Sequence, residues 1–166
     1  MRIRTFAIAL TCCLLATAMF GQARRPGLYE VTTTMTWIKS PLPPGMSMPA
    51  NSPFSGAART TQVCLTQAQI DKYGAPVSQS KDCQIVNVAL SSNGMKAEMV
   101  CTGQMNGRGT LESHWDNGSA ARSKVHFTGT MQAGQQGSMA VEWISESSSV
   151  YRGPECGSVK PVPMAK

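Results

Sequence analysis

The sequence predicts an all-β fold, an antiparallel up-and-down meander of about seven strands that forms a barrel or half-barrel, with one short helix. Segments that alternate apolar and polar residues recur along the chain and are rich in β-branched and aromatic residues. Two Asn-Gly turn signals separate neighbouring segments, at Asn93-Gly94 and Asn117-Gly118. Because most connections are short, we expect the strands to pair in sequence order.

The first 23 residues predict a secretory signal peptide. Arg2 and Arg4 form a positive n-region, residues 6–15 form a short apolar region, and small-residue cleavage patterns end at Ala23 or, alternatively, at Ala18. The apolar run is shorter than the about 20 residues that span a bilayer. We therefore expect no transmembrane segment after cleavage, and a periplasmic or secreted protein.

Cleavage after Ala23 leaves 143 of the 166 residues, enough for one compact domain. Two basic residues leave with the signal, so 13 basic residues face nine acidic ones and the net charge is +4. The basic residues are scattered, so no nucleic-acid partner is expected. The predicted organisation is a signal peptide over 1–23, a single β domain over 24–160 and a disordered tail over 161–166.

The N-terminal half contains two predicted strands and the helix. Alternation predicts a half-buried strand over 28–38. Residues 40–56 contain five prolines and predict a long irregular loop, and 59–64 predicts a second strand. The spacing of residues 66–69, Thr-Gln-Ala-Gln, is that of a helix capping box and predicts a short helix through Lys72.

A first hairpin is predicted from strands over 84–92 and 95–102, joined by a two-residue turn at Asn93-Gly94. Turn chemistry and hydrophobic pattern agree on one register. That register pairs Leu90 with Ala97, Val88 with Met99 and Val86 with Cys101.

A second hairpin is predicted from strands over 109–115 and 121–131. A two-residue turn would mix the faces, so a longer or bulged turn that pairs Leu111 with Val125 is favoured. The last strand is predicted over 138–151, with a serine-rich middle that is expected to bend or fray.

Four cysteines remain after cleavage, Cys64, Cys83, Cys101 and Cys156, and an even count in an exported domain predicts two disulfides. No Cys-x-x-Cys pair is present, so neither a zinc nor a thioredoxin-type site is expected. Three connectivities are open. The local Cys64–Cys83 pair with Cys101–Cys156 is favoured, although a plain meander puts the second pair at opposite strand ends. A Cys83–Cys101 bond would join two residues at the same end of neighbouring strands. The predicted hairpin register, however, puts those two residues on opposite faces.

Five short motifs follow one another along the mature chain. They are Arg-Pro-Gly-Leu-Tyr-Glu-Val-Thr over 25–32, Cys-Leu-Thr over 64–66, Asp-Cys over 82–83, a glycine-rich stretch over 102–110 and Arg-Gly-Pro-Glu-Cys over 152–156. Their order and spacing resemble the bacterial exported family called domain of unknown function 3617, with Tyr29 where that family often has Trp. The resemblance implies an envelope protein of the periplasm or outer surface and implies no activity.

No catalytic constellation is evident, and we expect a non-enzymatic protein without a cofactor. Gly-x-Ser-x-Gly, P-loop, dinucleotide-binding and His-Glu-x-x-His motifs are absent. Ser113, His114 and Asp116 are close in sequence, but strand neighbours point to opposite faces, so His114 is expected to face solvent. In the favoured register His114 and His126 stand roughly 13 Å apart, too far for one metal ion.

The inner face is the expected functional surface, because a small β-barrel can hold one apolar ligand in its mouth. Five residues would line that site: Met35, Trp37, Phe127, Met139 and Trp143. The alternative is a packed interior, and a partner would be a small apolar ligand or another envelope protein. A second hypothesis is periplasmic copper handling, in which Met46 and Met48 of the Pro-rich loop offer thioethers to Cu(I). Alternatively, the Pro-rich loop is an apolar strap that folds over the mouth of the barrel.

Overall fold

The computed structural model describes residues 24–42, 45–46, 48–49, 52, 55–77, 80–116, 118–132 and 137–164. The predicted signal peptide over 1–23 lies outside these residues. Seven strands and one helix make up the described fold: β1 (Gly27–Lys39), β2 (Arg59–Leu65), α1 (Gln67–Tyr73), β3 (Cys83–Ser91), β4 (Gly94–Thr102), β5 (Met105–Asp116), β6 (Ala120–Gln132) and β7 (Ser138–Gly153).

All seven strands belong to one antiparallel sheet in the order β2-β1-β7-β6-β5-β4-β3. Strands β3 to β7 pair in sequence order, and β1 inserts between β7 and β2. The predicted meander is confirmed. Of the two predicted forms the sheet is the half-barrel, because β2 and β3 are its two ends in the described chain and do not pair with each other.

Helix α1 connects these two end strands. The Thr66 hydroxyl accepts a hydrogen bond from the Gln69 backbone N–H at 3.3 Å, and the Gln69 side chain accepts one from the Thr66 N–H at 2.9 Å. The predicted capping box is therefore confirmed. The helix ends at Tyr73, where Gly74 caps it with a left-handed φ of 63°. Tyr73 and Ala75 then pack onto the inner face of the sheet.

Two apolar clusters lie close to the helix. The first is formed by residues of the segment after α1 and of β4, β5 and β6: Tyr73, Ala75, Val77, Met95, Ala97, Leu111, Trp115 and Ala121. The second joins Tyr29 of β1 to Leu65 and Ile70. Both are buried because α1 and the residues after it cover this end of the sheet. A third cluster lies at the other end of the strands.

The register predicted for the β3–β4 hairpin is wrong. Leu90 lies opposite Met95, and the two-residue turn falls at Ser92-Asn93, one residue earlier than predicted. The cause is tertiary, because Trp115 of β5 holds this turn. Its backbone N–H donates to the Asn93 carbonyl at 2.9 Å, and its indole N–H donates to the Ser92 carbonyl at 3.2 Å.

A bulge within β3 shifts the register a second time. The pairing slips between Val86 and Ala89, where Asn87 has a left-handed φ of 53° that asparagine tolerates better than most residues. Beyond the bulge Cys83 lies directly opposite Cys101, and the two form a disulfide. The prediction that Cys83 and Cys101 lie on opposite faces of the hairpin is therefore also wrong.

The other disulfide joins Cys64 to Cys156. The favoured pairing of Cys64 with Cys83 and of Cys101 with Cys156 is thus wrong, although all four predicted cysteines do form disulfides. Cys64 lies in the end strand β2, and Cys156 follows β7. This bond therefore connects an end strand of the sheet to the segment that follows the interior strand β7.

The register predicted for the β5–β6 hairpin is confirmed, with Leu111 opposite Val125. Strand β5 begins at Met105, four residues before its predicted start, so Gly107 lies in a strand rather than in a turn. Gly107 is directly opposite Gly129 of β6. With no side chain on either residue the two strands approach closely, and the Phe127 ring lies against Gly107.

Strand β7 does not fray in its serine-rich middle. Ser145 pairs with Met35 on one side and with Val125 on the other, so this interior strand is hydrogen-bonded to a neighbouring strand on both sides. The segment after β7 also stays attached: Pro161 forms a bridge with Cys64, and Val162 accepts a hydrogen bond from the Gln69 side chain at 2.8 Å. The start of the predicted disordered tail is therefore held against the domain.

Candidate functional site

The third apolar cluster lies on the inner face, at the opposite end of the strands from α1. We call it the methionine-rich cluster. Its buried members are Cys101, Phe127, Val141 and Trp143, and half-buried apolar side chains pack around them: Met35, Trp37, Cys83, Met99, Met105, Val125 and Met131. Seven half-buried side chains surround this cluster, against three for the first cluster and two for the second, so its rim is the largest of the three.

Four of the five predicted lining residues meet in this cluster. Phe127 and Trp143 are cross-strand neighbours whose rings stack with centroids 5.3 Å apart, and Met35 and Trp37 of β1 pack against them. Met139, the fifth, is half-buried at the start of β7. Alternation along each strand correctly placed Met35, Trp37, Phe127 and Trp143 on one face of the sheet. It did not single out Met105, because the predicted start of β5 was too late.

Trp143 has an unusual hydrogen-bonding status. Its ring is buried, yet its Nε1–H has no acceptor among the residues that the structure describes. The indole of Trp115, in contrast, donates to the Ser92 carbonyl. Buried polar groups in proteins are nearly always hydrogen-bonded, so an unpaired donor inside an apolar cluster calls for a specific reason.

The Pro-rich loop follows β1, which contributes Met35 and Trp37 to the cluster. Among the loop residues that the structure describes, Pro41 is buried, Leu42 and Met48 are half-buried, and Met46 is 63% exposed. The two thioethers of the copper hypothesis therefore differ in environment. The burial of Pro41 agrees with the interpretation of this loop as an apolar strap.

Three other methionines stand side by side in the sheet. Met105 lies directly opposite Met131, and Met131 lies directly opposite Met139. Directly opposite residues of an antiparallel pair have Cβ atoms about 4.5–5.5 Å apart. The register therefore places three thioether side chains in one row across β5, β6 and β7.

The outer face of the sheet is polar and carries a ladder of ion pairs. The ion pairs are Lys96–Glu112, Arg108–Glu98, Lys124–Glu146 and Arg152–Glu30, and His126 shares a 2.8 Å hydrogen bond with Glu142. The hydrogen bond and the charge of Lys96 hold the pKa of Glu112 below its usual value. All ten side chains are substantially exposed, so each pair contributes little to stability.

The residues weighed as a hydrolase triad do not converge. Ser113 is buried on the inner side, where its hydroxyl lies 2.7 Å from that of Ser123. His114 is exposed on the outer face, as alternation predicts, beside Arg122 in a groove of about 520 Å³. Within the described chain no three His, Cys, Asp or Glu side chains come together as a metal site would require.

The described part of the chain contains no helix long and apolar enough to cross a bilayer. Comparison with curated proteins gave no match, and comparison with solved structures gave none either. Residues 24–156 match the family described as "Protein of unknown function (DUF3617)", and the chain belongs to this family.

Proposed function

We propose that this protein is an exported, non-catalytic binding module whose methionine-rich cluster takes a small apolar ligand with one hydrogen-bond acceptor. The observation that carries the proposal is the buried, unpaired Nε1–H of Trp143 in the middle of that cluster. The N-terminal pattern of a secretory signal and the two disulfides support export, since disulfides persist in oxidising compartments.

The cluster suits such a ligand for two physical reasons. A buried donor without an acceptor is unfavourable by about 1–3 kcal/mol, and a ligand oxygen placed against Trp143 would remove that penalty. The half-buried rim is rich in methionine, whose flexible, polarisable side chains adapt to different apolar shapes. Burial of the ligand's hydrocarbon part would add about 25 cal/mol for each Å² removed from water.

Trp143→Phe tests the role of the indole N–H while keeping an aromatic ring. We expect the parent protein to bind 2-octanone more tightly than 1-chlorooctane, which has the same size but accepts hydrogen bonds poorly. The substitution should weaken 2-octanone binding about five- to tenfold, the value of one neutral hydrogen bond, and leave 1-chlorooctane binding unchanged. Isothermal titration calorimetry measures both affinities.

Trp115→Phe is the matched control, because its indole already donates to the Ser92 carbonyl. This variant should lose about 1–2 kcal/mol of stability through the unpaired carbonyl and keep the parent affinity for 2-octanone. Equal affinity of the parent and Trp143→Phe for 2-octanone would refute the proposal, as would a parent that binds neither compound.

Soft-metal handling is a second candidate function, and the row formed by Met105, Met131 and Met139 is the observation that favours it. Three neighbouring thioethers form a ligand set suited to Cu(I). We expect replacement of all three by leucine to abolish Cu(I) binding in competition with a chelator, while Met46→Ala with Met48→Ala leaves it intact. Loss of Cu(I) binding in the loop variant alone would place the metal site in the loop instead. A parent protein that binds no Cu(I) would rule out this function.

A further inference from the structure

Arg24, which lies three residues before the start of β1 at Gly27, is a buried cation. Its side chain is 3% exposed. The guanidinium lies over the Tyr29 ring, 4.4 Å from the centroid, and its Nη2 donates to the Ser149 hydroxyl at 3.1 Å. Its Nε and Nη1 are buried and have no hydrogen-bond partner among the described residues. These two nitrogens carry three of the five N–H donors of the guanidinium, and none of the three has an acceptor in the described part of the chain.

Within the residues that the structure describes, the charge of Arg24 also has no partner of opposite sign. None of the ion pairs in the described chain includes it. One hydroxyl and one aromatic face replace only part of the water that the guanidinium gives up on burial. Burial lowers the pKa of Arg24 from its usual value, but an arginine keeps its charge at neutral pH. A buried, unpaired charge is strongly unfavourable, so an anion that entered would be held firmly.

Arg24 lines a cavity of about 230 Å³ between the end of α1 and the β3–β4 turn. Ile70, Leu90 and Trp115 form its apolar wall, and Ser91 borders it as well. Leu90 is 47% exposed and places apolar surface at the cavity mouth. The cavity lies at the end of the sheet that α1 covers, away from the methionine-rich cluster.

We infer that this cavity binds a small monocarboxylic acid, with its carboxylate on Arg24 and its hydrocarbon part against Ile70, Leu90 and Trp115. An arginine guanidinium matches a carboxylate because its N–H groups form a planar fork. The rest of the lining is mostly apolar, so an acid with one anionic group and a hydrocarbon part fits this cavity better than inorganic phosphate does. The volume equals that of roughly eight waters, which sets the ligand at about eight non-hydrogen atoms.

Hexanoate has that size, and hexanamide is its neutral analogue. By calorimetry on the purified protein we expect hexanoate to bind at least tenfold more tightly than hexanamide. Arg24→Met should abolish this preference, and Arg25→Met, which changes an exposed neighbour, should retain it. Trp143→Phe should also retain it, which separates this site from the one in the proposed function.

Leu90→Glu provides a test at an exposed position, where the substitution does not disturb the core. The added negative charge at the mouth should weaken hexanoate binding at least tenfold, whether or not Arg24→Met folds. Equal binding of hexanoate and hexanamide would overturn the inference. So would hexanoate binding that is unchanged in Leu90→Glu or in a folded Arg24→Met protein, or stabilisation by inorganic phosphate and not by hexanoate.

Discussion

Replacing Cys64 and Cys156 together by serine is expected to lower the free energy of unfolding by about 4–5 kcal/mol, because this disulfide closes a loop that includes most of the domain. The two residues are 92 positions apart in sequence. In the chain-entropy account a cross-link stabilises by restricting the unfolded chain, and a longer loop restricts it more. The variant also frees the end strand β2 from the segment after β7.

The pair Cys83 and Cys101 is the natural control, since its residues are only 18 positions apart. Replacing both by serine should lower stability by about 3 kcal/mol on the same account. Equilibrium unfolding in urea under non-reducing conditions gives both values. A smaller loss for the long-range pair than for the short-range pair would contradict the account.

Gly129→Ala is expected to lower stability by about 3 kcal/mol or more, a large effect for the addition of one methyl group. Its Cβ would overlap the Asn106 carbonyl oxygen and come within 2.9 Å of the Gly107 Cα. These are backbone atoms of the paired strand and cannot turn away as a side chain can. The β5 and β6 strands would have to move apart at the point where Phe127 and the methionine-rich cluster pack against them.

Gly153→Ala provides the comparison in another strand. An added Cβ there meets no atom within 4 Å, and its φ lies outside the left-handed region. We expect this variant to stay within about 0.5 kcal/mol of the parent. Urea unfolding of the two variants side by side tests the contrast, and similar losses for both would mean that the close strand approach is unimportant.

Much of the fold could be predicted from local sequence patterns. Alternation is a property of a single strand, so it correctly assigned Phe127 and Trp143 to the inner face and His114 to the outer face. The capping box of Thr66 and Gln69 was equally local. The β5–β6 register followed from matching apolar faces, since Leu111 and Val125 agree only with a longer turn.

The β3–β4 register and the disulfide pairing depend on distant contacts, and here the predictions were wrong. Asn93-Gly94 is a strong hairpin signal, but the bonds from Trp115 move the turn by one residue. The left-handed asparagine is Asn87 inside β3, where it produces a bulge. That bulge brings Cys83 opposite Cys101, so one unpredicted backbone feature led to the wrong disulfide pairing.

The candidate sites were only partly predictable for a similar reason. Sequence pattern placed Trp143 on the inner face, but the lack of an acceptor for its Nε1–H depends on every neighbour around it. Arg24 stands beside Arg25, and nothing local distinguishes the two. Only the tertiary fold buries the first over Tyr29 and leaves the second exposed.

The central proposal is that the Trp143 Nε1–H donates a hydrogen bond to an acceptor atom of the bound ligand. Proton–nitrogen NMR of the tryptophan indoles tests it most directly. The chain has three tryptophans, and the spectrum of Trp143→Phe identifies the signal that belongs to Trp143. During titration with 2-octanone this signal should move downfield and saturate, because its N–H gains a hydrogen bond. A Trp143 signal that stays in place while the ligand binds would contradict the account.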